Sequence, residues 1–167
     1  SSNLTETAYD VKETADGGYV AVGSTIADEE SGARDLYLIK TDKYGNEESW
    51  SPVTIGGAYD DAGTSILVVP DGFVILGYSE QNDTSGYDMY LVKTDLQGNV
   101  MWEQWSGEPG EDRGTSLQIT AAGEFLAAGI RHSRRRIKCF FVECLCSNGD
   151  IFLLIEITAS PSIHPPG

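Results

Sequence analysis

The sequence predicts an all-β repeat fold, a β-propeller of three four-stranded antiparallel blades, and three observations carry that prediction. First, a strand-like run closing in glycine occurs three times, as Asp16-Gly17-Gly18-Tyr19-Val20-Ala21-Val22-Gly23, Asp71-Gly72-Phe73-Val74-Ile75-Leu76-Gly77 and Gly123-Glu124-Phe125-Leu126-Ala127-Ala128-Gly129, with closing glycines 54 and 52 residues apart. Second, Asp35-Leu36-Tyr37-Leu38-Ile39-Lys40-Thr41-Asp42 returns as Asp88-Met89-Tyr90-Leu91-Val92-Lys93-Thr94-Asp95, shifted by 53 residues. Third, a stretch holding Asp61-Ala62-Gly63-Thr64-Ser65 returns with Asp112-Arg113-Gly114-Thr115-Ser116, shifted by 51. Short strands on a fixed period of that size mark a propeller or a solenoid.

Each repeat divides into four strands by alternation, β-branched and aromatic enrichment, and the turns between runs. In the second copy the strands are expected over residues 64–69, 73–78, 89–94 and 100–105. Pro70-Asp71-Gly72 joins the first two, since proline presets φ and glycine accepts positive φ. Leu96-Gln97-Gly98-Asn99 joins the last two, as Lys43-Tyr44-Gly45-Asn46 does one repeat earlier, and the polar stretch 79–87 reads as a surface loop. Neither turn has the alternate oxygen ligands or the distal glutamate of an EF-hand. The blades fall at about 8–55, 62–106 and 114–158, with a tail at 159–167, all within one repeat domain over 1–167. Trp50 and Trp102 follow the turns at matching places and are expected to pack between blades.

Together these motifs resemble the β-propeller repeats of bacterial and archaeal cell-surface and secreted proteins, including SBBP repeats, over residues 8 to about 130. The spacing Asp95-x-x-Gly98-Asn99-x-x-Trp102 is also similar to the tryptophan docking motif of quinoprotein propellers, whose indole packs between neighbouring blades. The resemblance implies a propeller and an extracellular or cell-surface location. It carries over no quinone-binding or calcium-binding residue and leaves the ligand open.

The third copy departs from the pattern. Residues 139–150 align with 88–99, but Lys-Thr-Asp has become Cys144-Leu145-Cys146, and Leu153 stands in the place of Trp102. A worn terminal repeat is expected where a unit has only one neighbour. Propellers close with four to eight blades, so three predict either a piece of a larger propeller or half of a six-bladed ring made by two copies. Open flanks invite self-association.

With 26 acidic and 11 basic residues the formal net charge is −15, which repels nucleic acid and anionic membranes. Residues 1–130 carry 23 acidic and six basic side chains; residues 131–167 carry three and five. No apolar run approaches a membrane span, since 151–157 is strand-sized, so membrane insertion is not expected. The chain opens inside a repeat, and no signal peptide is visible.

Asp60-Asp61 and Glu111-Asp112 are expected in equivalent loops and, with Tyr59, form the candidate binding surface. Carboxylates repeated in register suit a hard cation such as calcium; the commoner reading is that Asp61 and Asp112 bond the backbone of tight turns at Gly63 and Gly114. No other cofactor is expected. Cys139, Cys144 and Cys146, with His132 nearby, match no zinc spacing and read as strand filler. Arg131, Arg134, Arg135, Arg136 and Lys138 read as a solvated loop or as a clasp onto the acidic surface of a second copy.

Catalysis has little support. His132 and His164 lie near no nucleophile elbow, and no phosphate loop opens a helix. The predicted function is a non-enzymatic binding or scaffold module engaging protein or glycan. The alternative is a glycosidase-type propeller using loop carboxylates, favoured by a raised pKa on one carboxylate beside an aromatic platform, for which Tyr59 and Trp105 are the candidates.

Overall fold

The computed structural model describes residues 5–26, 30, 32–81, 86–107, 109–121, 123–133, 136–145 and 151–157, with side chains described as far as Arg131. The described residues are all-β, in strands β1 (Glu6–Glu13), β2 (Tyr19–Ile26), β3 (Arg34–Thr41), β4 (Val53–Ile55), β5 (Asp61–Val69), β6 (Gly72–Glu80), β7 (Tyr87–Thr94), β8 (Val100–Ser106), β9 (Gly110–Ile119), β10 (Phe125–Ser133), β11 (Arg136–Leu145) and β12 (Ile151–Ile157). These form three antiparallel four-stranded sheets, β1-β2-β3-β4, β5-β6-β7-β8 and β9-β10-β11-β12. The register supports the worn third copy, because Leu153 pairs with Cys144 as Trp102 pairs with Lys93.

The closing glycines have a steric cause. In the three sheets the pairing of the first two strands slips at the same place, next to the pairs Ala8↔Gly23, Gly63↔Gly77 and Gly114↔Gly129. The slip presses the first strand's carbonyl onto the glycine opposite. A Cβ on Gly23 would lie 1.7 Å from the Thr7 carbonyl oxygen, and one on Gly77 would lie 1.7 Å from that of Ala62. β-Bulges of this kind bend and twist the bulged strand. Here they also let β5 run past Gly63, so the strand starts at Asp61 rather than at the predicted residue 64. Gly63 and Gly114 are therefore strand residues, and the expected tight turns there do not form. A Cβ on Gly63 would meet Val22 Cγ2 at 2.4 Å, and one on Gly114 would meet Leu76 Cγ at 2.5 Å, so both glycines admit side chains of the preceding sheet.

The sheets stack face to face in one repeated way. Val20, Val22, Leu36 and Leu38 of the first sheet pack against Ile66, Phe73, Ile75, Tyr90 and Val92 of the second. The equivalent face of the second sheet, Val74, Leu76, Met89 and Leu91, packs against Leu117, Phe125 and Ala127 of the third. β6 is buried on both faces, which is why Phe73 to Leu76 is an unbroken apolar run instead of an alternation. Both tryptophans lie between sheets as expected. Trp102 sits 6.4 Å from the Phe125 ring, and Trp50 lies over the β7–β8 turn, where a Cβ on Gly98 would meet its ring at 3.0 Å.

The first strands of successive sheets are joined by side chains. The Ile66 N–H donates to Asp10 Oδ2 at 3.0 Å, and the Leu117 N–H donates to Ser65 Oγ at 3.2 Å. Asp10 and Ser65 are equivalent, since they pair with Val22 and Leu76 at the same step past the bulge. An edge-strand N–H that a flat sheet would leave unpaired thus finds an acceptor on the preceding sheet.

The hairpin turns form as predicted. Asp42 accepts from the Tyr44 and Asn46 amides and Asp95 from those of Gln97 and Asn99, which holds both carboxyls below the usual carboxylate range; the Asn46 and Asn99 side chains contribute most. Lys40 reaches Asp16 at 2.9 Å and Lys93 reaches Asp71 at 2.6 Å, tying the second turn motif to the first. The third copy has lost both ends of that pair, with alanines at 121–122 and Cys144 in place of the lysine.

The bulge contact sets a test. Gly77→Ala is expected to cost about 1–3 kcal/mol, the range of overpacking a filled site. Gly57→Ala, with open space around the added methyl, should stay within about 0.5 kcal/mol of wild type. Urea unfolding of both variants decides the matter; equal stabilities would refute the steric account.

Candidate functional site

At the end of the sheets opposite the hairpin turns, a cleft of about 360 Å³ opens between the first and second sheets. One wall is the segment from Ile55 through Gly56, Gly57 and Tyr59 to Asp61; the other is Ser79 to Gln81 with Tyr90, Glu103 and Trp105. Tyr90 and Trp105 pair across β7 and β8 and stack, with ring centroids 5.2 Å apart and planes 21° apart. Tyr90 is buried while Trp105 is 41% exposed. The Tyr90 hydroxyl donates to Glu103 Oε1, and burial, then this bond and the nearby charge, drive the phenol pKa far above its ordinary value.

Asp61 lies at the cleft, buried, and its Oδ2 accepts the Gly57 N–H at 3.0 Å. Burial pushes its carboxyl above the usual range; bonds from Ser79 and Gly57 oppose this, and the charges of Asp35 and Asp60 add to it. Asp35 is raised by burial as well. Gly56 is the hinge of this arrangement, because a Cβ there would lie 2.3 Å from Asp35 Oδ1 and 2.7 Å from Asp61 Oδ2. The next junction repeats it, since a Cβ on Gly107 would lie 2.0 Å from Asp88 Oδ1 and 3.1 Å from Asp112 Oδ2. Asp88 is raised by burial and by the Asp112 charge, with Arg131 opposing. Two motifs that are separate in sequence therefore meet at each junction.

The junctions differ in how the buried carboxylate is met. Across the strand pair Asp61 faces Ser79, while Asp112 faces Arg131, whose Nε stands 3.3 Å from Asp112 Oδ1 with both side chains nearly inaccessible. This corrects two expectations. Asp61, Glu111 and Asp112 sit within strands rather than loops. Arg131 is a buried ion-pair partner rather than a solvated loop residue, because the strand carries it across from Asp112. Arg134, Arg135 and Cys146 lie outside the described residues, as do the side chains of His132, Arg136, Lys138, Cys139 and Cys144.

Of the predicted surface, the cleft unites Tyr59 and Asp61. Asp60 accepts from the Arg34 amide at 2.9 Å and the Tyr87 hydroxyl at 3.2 Å, bracing β3 against β7; burial and this neighbour push the Tyr87 phenol up to about 12. Glu111 pairs with Arg113 at 3.0 Å, and that guanidinium lies 4.6 Å and 4.1 Å from the Tyr78 and Tyr87 ring centres. Glu103, Tyr90 and Gln81 were not legible as cleft residues. The one available signal was the alternation in residues 100–105, which sends Glu103 and Trp105 to one face. Among the described residues no group of three or more His, Cys, Asp or Glu is placed to hold a metal ion.

A second cleft, of about 560 Å³, lies at the hairpin end beside Trp50, Val68, Pro70, Phe73 and Leu96. Its lining also includes the turn residues Thr14 to Asp16 and Gln97, with Lys40 and Glu48, so exposed turns and inter-sheet apolar side chains share it.

No family model matches the chain, and no curated protein matches it either.

Two outcomes follow from the buried carboxylates. Asp61 is more readily protonated in the folded state, so its charge weakens the fold as pH rises through its raised pKa. Asp61→Asn should therefore melt higher than wild type at pH 7–8, and the gain should fade on acidification towards pH 4; a lower melting temperature at pH 8 would contradict this. Arg131→Leu leaves Asp112 buried beside Asp88 without its guanidinium and is expected to cost about 3–5 kcal/mol. Combining it with Asp112→Leu should recover much of that loss in denaturant titrations.

Proposed function

We propose that the three sheets are consecutive blades of a β-propeller, and that the chain serves as a non-enzymatic binding or scaffold module of a secreted or cell-surface protein, engaging protein or glycan partners. The observation that supports this best is the repeated stacking, which uses the same faces twice and would accept the same neighbour again at either flank. Tyr19, Ala21, Tyr37 and Ile39 of the first sheet occupy the positions of Phe73, Ile75, Tyr90 and Val92, yet Tyr19 is 46% exposed where Phe73 is wholly buried. The inter-sheet bond is open at both ends too. Val11, the counterpart of Ile66, donates its N–H to its own Asp10 at 2.8 Å, and Ser116, the counterpart of Asp10 and Ser65, is exposed. In this reading a further blade, from a second copy or a longer chain, supplies the missing contacts. The net charge of −15 argues against nucleic acid as the partner.

A glycosidase-type activity is the second reading. It is favoured by the raised carboxyl of Asp61 in a cleft that also holds Glu103 and the Tyr90–Trp105 stack, since such enzymes pair a raised acid with an ionised carboxylate.

Light scattering over a concentration series, with and without calcium, tests the principal reading. Mass is expected to rise with concentration, and Ala21→Lys on the open face should suppress the rise without changing the β-sheet circular dichroism. A strictly monomeric protein that unfolds cooperatively would overturn the reading.

A further inference from the structure

We infer that the cleft between the first and second sheets is a carbohydrate subsite for a neutral sugar ring, with Trp105 as its stacking platform and Glu103 and Gln81 as hydroxyl partners. This rests on the binding-module reading and names its ligand.

The Tyr90–Trp105 stack is not needed to build a sheet of this kind. At the equivalent step of the register Tyr37 pairs with Thr54 in the first sheet, and Phe141 pairs with Glu156 in the third. Only the second sheet sets a tryptophan there, and it leaves that tryptophan 41% exposed although burial is the rule for this residue type. Glu103 is also peculiar to this copy, since Leu154 holds its register place in the third sheet. Features that the repeat does not demand, gathered around one cavity, point to a ligand.

The chemistry of the walls selects the ligand. One face of the Trp105 ring lies against Tyr90, so its accessible surface is the other face and the edge. A single flat aromatic face suits the C–H face of a pyranose, whereas a quaternary ammonium takes several converging rings. Hydrogen-bonding groups stand around the platform: Glu103, exposed; Gln81, whose amide already donates to Ser79 Oγ at 2.8 Å; and Tyr59 on the opposite wall. The lining holds Asp61, Glu80 and Glu103 and no Lys or Arg, so uronates and sulfated sugars are repelled. The volume of about 360 Å³ falls at the small end of ligand sites, in keeping with one ring inserted and the rest of a chain outside.

The test is isothermal titration of the full chain with neutral oligosaccharides (gluco-, manno-, galacto- and N-acetylglucosamine series), with an oligogalacturonate, and with choline, while sugar products are followed by chromatography. At least one neutral series is expected to bind; Trp105→Ala should weaken it tenfold or more, Trp105→Phe should restore most of the affinity, and Glu103→Gln should weaken it less than Trp105→Ala. Binding of choline or the uronate in preference to every neutral sugar, no binding of any neutral series at millimolar concentration, or unchanged affinity in a folded Trp105→Ala protein would each overturn the inference. Turnover of a bound neutral sugar would uphold the subsite while favouring the enzymatic reading. Failure here leaves concentration-dependent association intact, so the two ideas fall separately.

Discussion

The structure depends on a close backbone crossing, in which the first strand of the first and second sheets passes over a glycine of the strand beside it. A Cβ there would lie 1.7 Å from a carbonyl oxygen, so any other residue must push the strands apart, and the bulge at this crossing advances the strand by a step. That step brings Asp10 and Ser65 within reach of the next sheet's Ile66 and Leu117 amides. It also thins the sheet at Gly63 and Gly114, so that Val22 and Leu76 of the preceding sheet can enter. Stacking, inter-sheet hydrogen bonding and the apolar core between sheets thus have one geometric origin. The glycines are fixed by what presses on them, not by φ.

This explains which parts of the fold could be read from residues alone. The repeated Gly23 and Gly77, the Asp42 and Asp95 turns and the paired tryptophans are local or near-local devices, and each kept its residue type in each copy that uses it. Contacts between motifs were harder to see. Nothing in the spacing says that Asp35 meets Asp61 over Gly56, because the meeting needs β3 and β5 to lie in adjoining sheets. The expectation of a tight turn at Gly63 failed for a related reason. Glycine followed by Thr-Ser is good turn chemistry in isolation, but here its missing side chain makes room for a neighbour from another sheet.

The site was half legible. Tyr59, Asp61 and Trp105 stood out as a carboxylate with aromatics, and they do line one cleft. Glu111 and Asp112 stood out equally by repetition and went elsewhere, Glu111 to Arg113 and Asp112 to Arg131. Repetition reports what the framework needs at every junction: two carboxylates converging over a glycine. The departures from repetition carry the individuality, Ser79 in one copy against Arg131 in the other. A serine opposite leaves Asp61 burdened by burial and by Asp35, while the guanidinium counters the charge of Asp112.

That difference bears on where the proposed ligand would be accommodated. A buried carboxylate already matched by an arginine has little to offer a polar guest, since its field is spent inside the protein and removing the partner would strand a charge. Among the described residues Asp61 is met by a hydroxyl and an amide and by no guanidinium, so more of its field reaches the cleft of moderate size beside it. The first junction has that open field and also the Tyr90–Trp105 stack, whereas the second has the ion pair and places Trp102 against Phe125 in the core. The same frame thus yields one junction closed by electrostatics and packing and one left open on both counts. Divergence between the copies, not their likeness, sets the proposed site apart.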